Sequence, residues 1–257
     1  MSGMICCEFM KIRRNKVLMV GLIAVLISAG YSVFQMYLGN HSGDTMNFDL
    51  LNYVMVFNNT TLVFPAMLTL FGGHLINLEY EADTLKSLLT VPVSMRKILT
   101  IKLLVTGFFA VVFGMASFVL AILSGCLLLH FDITEEQVLL SLRQICGMAF
   151  WNYIAVSPII IVSSRRQGYY MFGAGISFLL GLISLFIGKS ALTNIFPITA
   201  GYRLVHYAAA YEASSPLVSI AVYGVIVLFL ILYVFHLPEH IFLCKNPPYF
   251  SNMPMSR

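Results

Sequence analysis

Apolar runs long enough to cross a bilayer alternate with short polar breaks along this chain. Six runs lie near residues 17–38, 50–78, 98–129, 144–164, 168–188 and 216–236. About 20 apolar residues in a helix cover the hydrocarbon core, and a lipid-exposed segment must satisfy its own backbone. Each run therefore predicts a transmembrane α-helix, and the chain an all-α membrane protein with six of them. The first run, Val17 to Leu38, exceeds the roughly 7–15 residues of a signal-peptide core, and no small-x-small cleavage site follows it. It is expected to remain as an anchor.

Composition agrees with this pattern. Apolar residues make up 59% of the 257 positions and charged residues 10%, against roughly 25% charged in soluble domains; mean hydropathy is +0.88. One transmembrane domain over residues 1–257 is expected, and the net charge of +4 reads as topology. With the N-terminus inside, twelve of the fifteen basic residues face the cytoplasm: Lys11, Arg13, Arg14, Lys16, Lys86, Arg96, Lys97, Lys102, Arg165, Arg166, Lys245 and Arg257. Arg143, Lys189 and Arg203 fall outside, with Asp44, Asp49, Asp132, Glu135, Glu136 and Glu212. The positive-inside rule then makes both termini cytoplasmic. Residues 1–16 form a basic segment with Ile5, Phe9 and Ile12 on one helical face, suited to the inner interface. Residues 237–257 form a proline-rich cytoplasmic tail. Cys6, Cys7, Cys126, Cys146 and Cys244 have neither CxxC nor zinc-site spacing and are expected to be small apolar fillers or reduced thiols.

Inside the spans, Asn58, Asn59, Thr60 and Thr61 form a polar cluster one turn before Pro65. In hydrocarbon such groups need partners or water, so they either bond neighbouring helices or line a substrate path. Two small-residue stripes, Ala110, Gly114, Ser117, Ala121 and Gly125, then Gly173, Ser177, Gly181, Ser184 and Gly188, allow helices to approach closely. They suit packing within one bundle or, for the second stripe, a dimer seam. Residues 189–215 are too apolar for a free loop and too broken for two more spans. With Tyr202, Tyr207 and Tyr211 suited to an interfacial belt, they are expected to form a re-entrant element at the outer leaflet.

Motifs for chemistry in the chain itself fail. The GKS at Gly188 lacks the earlier glycine of a phosphate loop, and Ser177 has no histidine placed opposite it. No HExxH occurs, and no ionisable residue or internal repeat suggests ion-coupled transport. Energy is expected to arrive from another protein, so the chain is not itself an enzyme. An ATP-independent secondary carrier or a membrane scaffold or sensor is the alternative.

Residues 79–97 offer the place for that input. Asp83 can cap a short helix from Thr84 that places Leu85, Leu88 and Leu89 on one face. Pro92 ends it, and Ser94 caps a long helix beginning at Met95. From Met95 to His130 that helix would run for about 50 Å at about 1.5 Å per residue, so its first turns protrude. The loop reads equally as a coupling element or as an ordinary interfacial hairpin.

The order Glu79, Glu81, Thr84, Leu85, Lys86, Leu88, Leu89, Pro92, Val93, Ser94, Arg96, Lys97 and Lys102 resembles the first cytoplasmic loop of ABC-2 type permeases, the membrane subunits of ATP-binding-cassette exporters. Size and texture are most similar to permeases that protect against lantibiotics and bacitracin. The resemblance implies a dimer of permease subunits, with itself or a sister chain, in the bacterial cytoplasmic membrane. It also implies ATP-binding subunits docked on the coupling helix between the second and third spans. The substrate, expelled outward, would be hydrophobic or cationic, and a peptide antibiotic is one such. ATP and magnesium would sit on the partner, with no cofactor on this chain and no nucleic-acid partner.

Overall fold

The computed structural model describes residues 9–12, 16–40, 46–81, 95–187, 190–207 and 216–236. Among them there are helices and turns and no strand. The helices are α1 (Val17–Asn40), α2 (Phe48–Asn58), α3 (Phe64–Glu81), α4 (Met95–Leu123), α5 (Glu135–Ser163), α6 (Tyr170–Ile187), the single turn α7 (Gly201–Leu204) and α8 (Pro216–His236). A π-helical turn, Asn59–Val63, joins α2 to α3 as one continuous span, and a second, Ser124–Leu128, ends α4. Among the described residues, six helical stretches are long and apolar enough to span a membrane, close to the six predicted runs.

The fourth span departs most from expectation. The polar pair Arg143 and Gln144 suggests a start near residue 144, but α5 begins at Glu135 behind a capping box formed by Thr134 and Gln137. Arg143 and Gln144 do not end the helix because other elements take their polar groups. Arg143 reaches the Leu204 carbonyl and the His206 ring, and Gln144 donates to the His206 carbonyl. Further along, Pro158 withholds an N–H from the Ile154 carbonyl. The Ser157 hydroxyl donates to that carbonyl instead, at 2.7 Å, so the helix continues.

The bundle is apolar on the outside as well as within. Phe172 is 71% and Phe186 88% exposed on α6, which water would not tolerate across a whole surface. Phe64, Leu68, Phe71, Phe109 and Phe113 fill the interior between α3 and α4. Phe9 and Ile12 join this core. The Phe9 ring meets Phe108 and Phe109 at 5.3 and 5.7 Å, and Ile12 is buried. Ile5 lies outside the described residues.

Both small-residue stripes pack inside the chain over their described residues; Gly188 lies outside those. Gly114 on α4 lies against Ala149 and Cys146 of α5. On α6, Gly173, Ser177, Gly181 and Ser184 are buried against the second span and α5, so this stripe is not free to form a dimer seam. Pro65 denies the Thr61 carbonyl its usual N–H, and that carbonyl points at Gly181, where any Cβ would collide with it.

Residues 190–207 fold back as a 3₁₀ turn, bends and α7 against Met148 and Trp151, near the midpoint of α5. Tyr202 and Tyr207 do not sit in an exposed belt. Both are buried: the Tyr207 ring stacks on Tyr53 at 5.0 Å, meets the tilted Tyr202 ring at 4.6 Å, and its hydroxyl donates to the Tyr53 carbonyl. Desolvation pushes both hydroxyls above their ordinary pKa, which keeps them neutral. Trp151 stacks on Tyr223 of α8, whose hydroxyl donates to the Pro197 carbonyl. Tyr211 lies outside the described residues.

Gly181→Ala is expected to lower the stability of the purified protein by about 1–3 kcal/mol, whereas Gly30→Ala, where nothing lies within 4 Å, should be neutral. Thermal unfolding in detergent measures both, and equal effects would contradict the close contact at Thr61.

Candidate functional site

Among the described residues, the second span makes most of the side-chain bonds that join the spans. Asn52 on α2 donates to the Gln144 side chain of α5 at 2.6 Å. Asn58 donates to Gln35 and Ser32 on α1 at 2.6 and 3.0 Å. Asn59 accepts from Ser28 on α1 at 2.6 Å and donates to Ser117 on α4 at 2.7 Å. Farther along, Thr69 pairs with Ser177 of α6 at 2.7 Å. Asn77 accepts the backbone N–H of Gly168, in the α5–α6 turn, at 3.0 Å. Gly168 has φ +79°, a backbone state that strains residues with a Cβ.

The π turn has a local cause and a local use. Two asparagines and two threonines offer side-chain bonds that compete with the α ladder: Thr61 donates to the Phe57 carbonyl at 2.8 Å. The Phe64 N–H returns to the Asn59 carbonyl. This wider turn accommodates all four residues, which are buried. Thr60 and Tyr202 face each other as fully desolvated hydroxyls without closing a hydrogen bond.

Of the four polar residues, Asn58 and Asn59 bond neighbouring helices, and Thr61 bonds its own backbone. The arrangement suits interhelical bonding. Their partners were legible in part, since Ser28, Ser32 and Gln35 recur at i, i+4 and i+7 on an otherwise apolar α1.

Lys102 is the residue that charge counting misplaces. It stands seven residues into α4 and is 1% exposed, not at the cytoplasmic surface. Its stem lies in the core and its ammonium donates to the Leu75 carbonyl of α3 at 2.6 Å. The Tyr153 hydroxyl of α5 donates to the Leu103 carbonyl one residue on, at 2.7 Å. Thus α3 and α4, the helices on either side of residues 82–94, are fastened together by a buried charge-assisted bond.

Residues of the expected coupling region divide as follows. Glu79 and Glu81 end α3, with their side chains outside the described set. Asp83, Thr84, Leu85, Lys86, Leu88, Leu89, Pro92 and Ser94 lie outside the described residues. Arg96 and Lys97 occupy the first turn of α4, Arg96 half-buried and Lys97 exposed.

A family model described as ABC-2 family transporter protein matches residues 4–184. The chain belongs to that family. The match takes in α1 to α5 and most of α6, and with them the polar groups of the second span, Lys102 and residues 79–97; residues 190–207 and α8 lie beyond it. Comparison with curated proteins and with solved structures gives no significant match. As an ABC-2 permease the chain is a multi-pass membrane subunit of an ATP-binding-cassette transporter, a family whose nucleotide site is carried by a separate ATP-binding subunit.

The Ser28–Asn59 bond gives a direct check on this geometry. A double-mutant cycle with Ser28→Ala and Asn59→Ala should return a coupling of about 0.6–1.7 kcal/mol in denaturant unfolding of the detergent-solubilised protein; additive losses would contradict the bond.

Proposed function

We propose that this ABC-2 permease is the transport subunit of an exporter that expels a hydrophobic or cationic substrate, with a peptide antibiotic as the foremost candidate. The family match carries this reading. Both termini would face the cytoplasm of a bacterial cell, placing residues 79–97 on the inner face. A second permease, identical or a sister chain, would complete the translocation pathway.

In this reading the ATP-binding subunit docks on the leucine face of Leu85, Leu88 and Leu89. Glu79, Glu81, Asp83, Thr84, Lys86, Pro92, Ser94, Arg96 and Lys97 shape and orient that element. Closure of two ATPases would displace residues 82–94, and the Lys102–Leu75 bond would make α3 and α4 follow together. Through Asn59, Asn58 and Thr69 the displacement would reach α1, α4 and α6. Residues 190–207, packed beside Thr60 through Tyr202, would serve as the outer re-entrant element that closes the path.

Leu85→Asp combined with Leu89→Asp should reduce co-purification of the ATPase to background while the permease still fractionates with membranes. Transport by the wild type should stop on ATP depletion. Undiminished complex formation would overturn the docking site, and transport that survives depletion would favour an ATP-independent carrier.

A further inference from the structure

Three buried polar atoms, each from a different element, form no hydrogen bond: the hydroxyl of Thr60 in the π turn, the amide oxygen of Asn152 on α5 and the hydroxyl of Tyr202 in α7. Thr60 and Asn152 are 0% exposed and Tyr202 is 2% exposed, so bulk solvent reaches none of them. The register of the spans brings the first two to one level. Asn52 bonds Gln144 at 2.6 Å and Gly72 lies against Ile160, so the second span and α5 run side by side in the same direction. Thr60 comes eight residues after Asn52, and Asn152 eight after Gln144, an advance of about 12 Å on each at about 1.5 Å per residue. The π turn packs on α5 at this point. The Asn152 amide donates to the Met148 carbonyl at 3.2 Å, which leaves its oxygen over and lays the side chain back toward Met148. The Met148 sulfur lies where a Cβ on Gly201 would meet it, one residue before Tyr202. Tyr202 in turn faces Thr60.

We propose that Thr60, Asn152 and Tyr202 hold one ordered water molecule, which accepts from the two hydroxyls and donates to the Asn152 amide oxygen. Buried polar groups in hydrocarbon need a partner, and a buried water typically makes about three hydrogen bonds to such groups. A direct Thr60–Tyr202 bond would leave the Asn152 oxygen bare. Three neutral oxygens are too few for a hard metal cation, which takes about six or more, and an apolar occupant would bond none of them. The water ties residues 190–207 to the second span and to α5 at once, at the turn where the second span leaves the α ladder. The site depends on packing alone, so its failure and that of the exporter reading are separately observable.

A density map of the full-length protein in lipid nanodiscs, at a resolution that shows ordered water, tests this. One peak should lie within about 2.5–3.2 Å of all three oxygens. No peak, a peak that reaches only two of them, or a direct Thr60–Tyr202 bond overturns the site. Thr60→Val, Tyr202→Phe and Asn152→Leu, singly and in pairs, give a second readout in denaturant unfolding of the detergent-solubilised protein. Groups that share one water are coupled, so in every pair the second replacement should shift the unfolding midpoint by clearly less than it does alone. Coupling confined to Thr60 and Tyr202, with Asn152→Leu adding its full shift to either, would mark a direct contact and overturn the water. Where a variant does not fold, the wild-type map decides.

Discussion

In hydrocarbon a polar side chain has no water to turn to, so it bonds to another part of the protein or costs free energy. The second span concentrates this constraint. Asn52, Asn58, Asn59, Thr69, Asn77 and the Leu75 carbonyl together bond to α1, α4, α5, α6 and the α5–α6 turn. Each such bond contributes on the order of 0.6–2 kcal/mol, less than a large buried aromatic. Their number and direction matter more, because they fix which face of each neighbour meets the second span. Most of the bundle is arranged around that span, while α8 packs on α4, α5 and α7.

Placing the polar groups on one span has a mechanical consequence. Asn52 lies near its start, Asn58 and Asn59 at the π turn, and Leu75 and Asn77 near its end. Residues 82–94 follow that end directly. Any force delivered there in the proposed exporter enters a helix already bonded to α1, α4, α5 and α6. The buried Lys102 ammonium shares the load with α4 from the first turns. Gly181 lets α6 lie against the Thr61 carbonyl, so the π turn is held by α6 as well as by α1 and α4.

Much of this was legible in the sequence because hydropathy alone sets span number in lipid. All six spans follow from apolar runs, and the small-residue stripes correctly mark where helices approach closely. The Asn58–Thr61 cluster also announces itself as an interruption. What escaped was partner choice. Arg143 reads as a loop residue because its acceptors, Leu204 and His206, lie some sixty residues away. Lys102 reads as a surface cation because its acceptor is a backbone carbonyl, which has no sequence signature. Tyr202 and Tyr207 look interfacial by composition, yet Tyr207 stacks on Tyr53 and packs against the tilted ring of Tyr202, and both are buried. The leucine face at residues 85–89 remains a reading of sequence and family alone.

Pulling single molecules from a bilayer by the N-terminus measures the role of the second span most directly. After α1 has been extracted, the largest rupture force should accompany residues 48–81, and replacing Asn59 and Lys102 by leucine and methionine should lower that peak and leave the α8 peak unchanged. A second span that leaves at no greater force than α6 or α8, or a peak indifferent to those two changes, would contradict its place at the centre of the bundle.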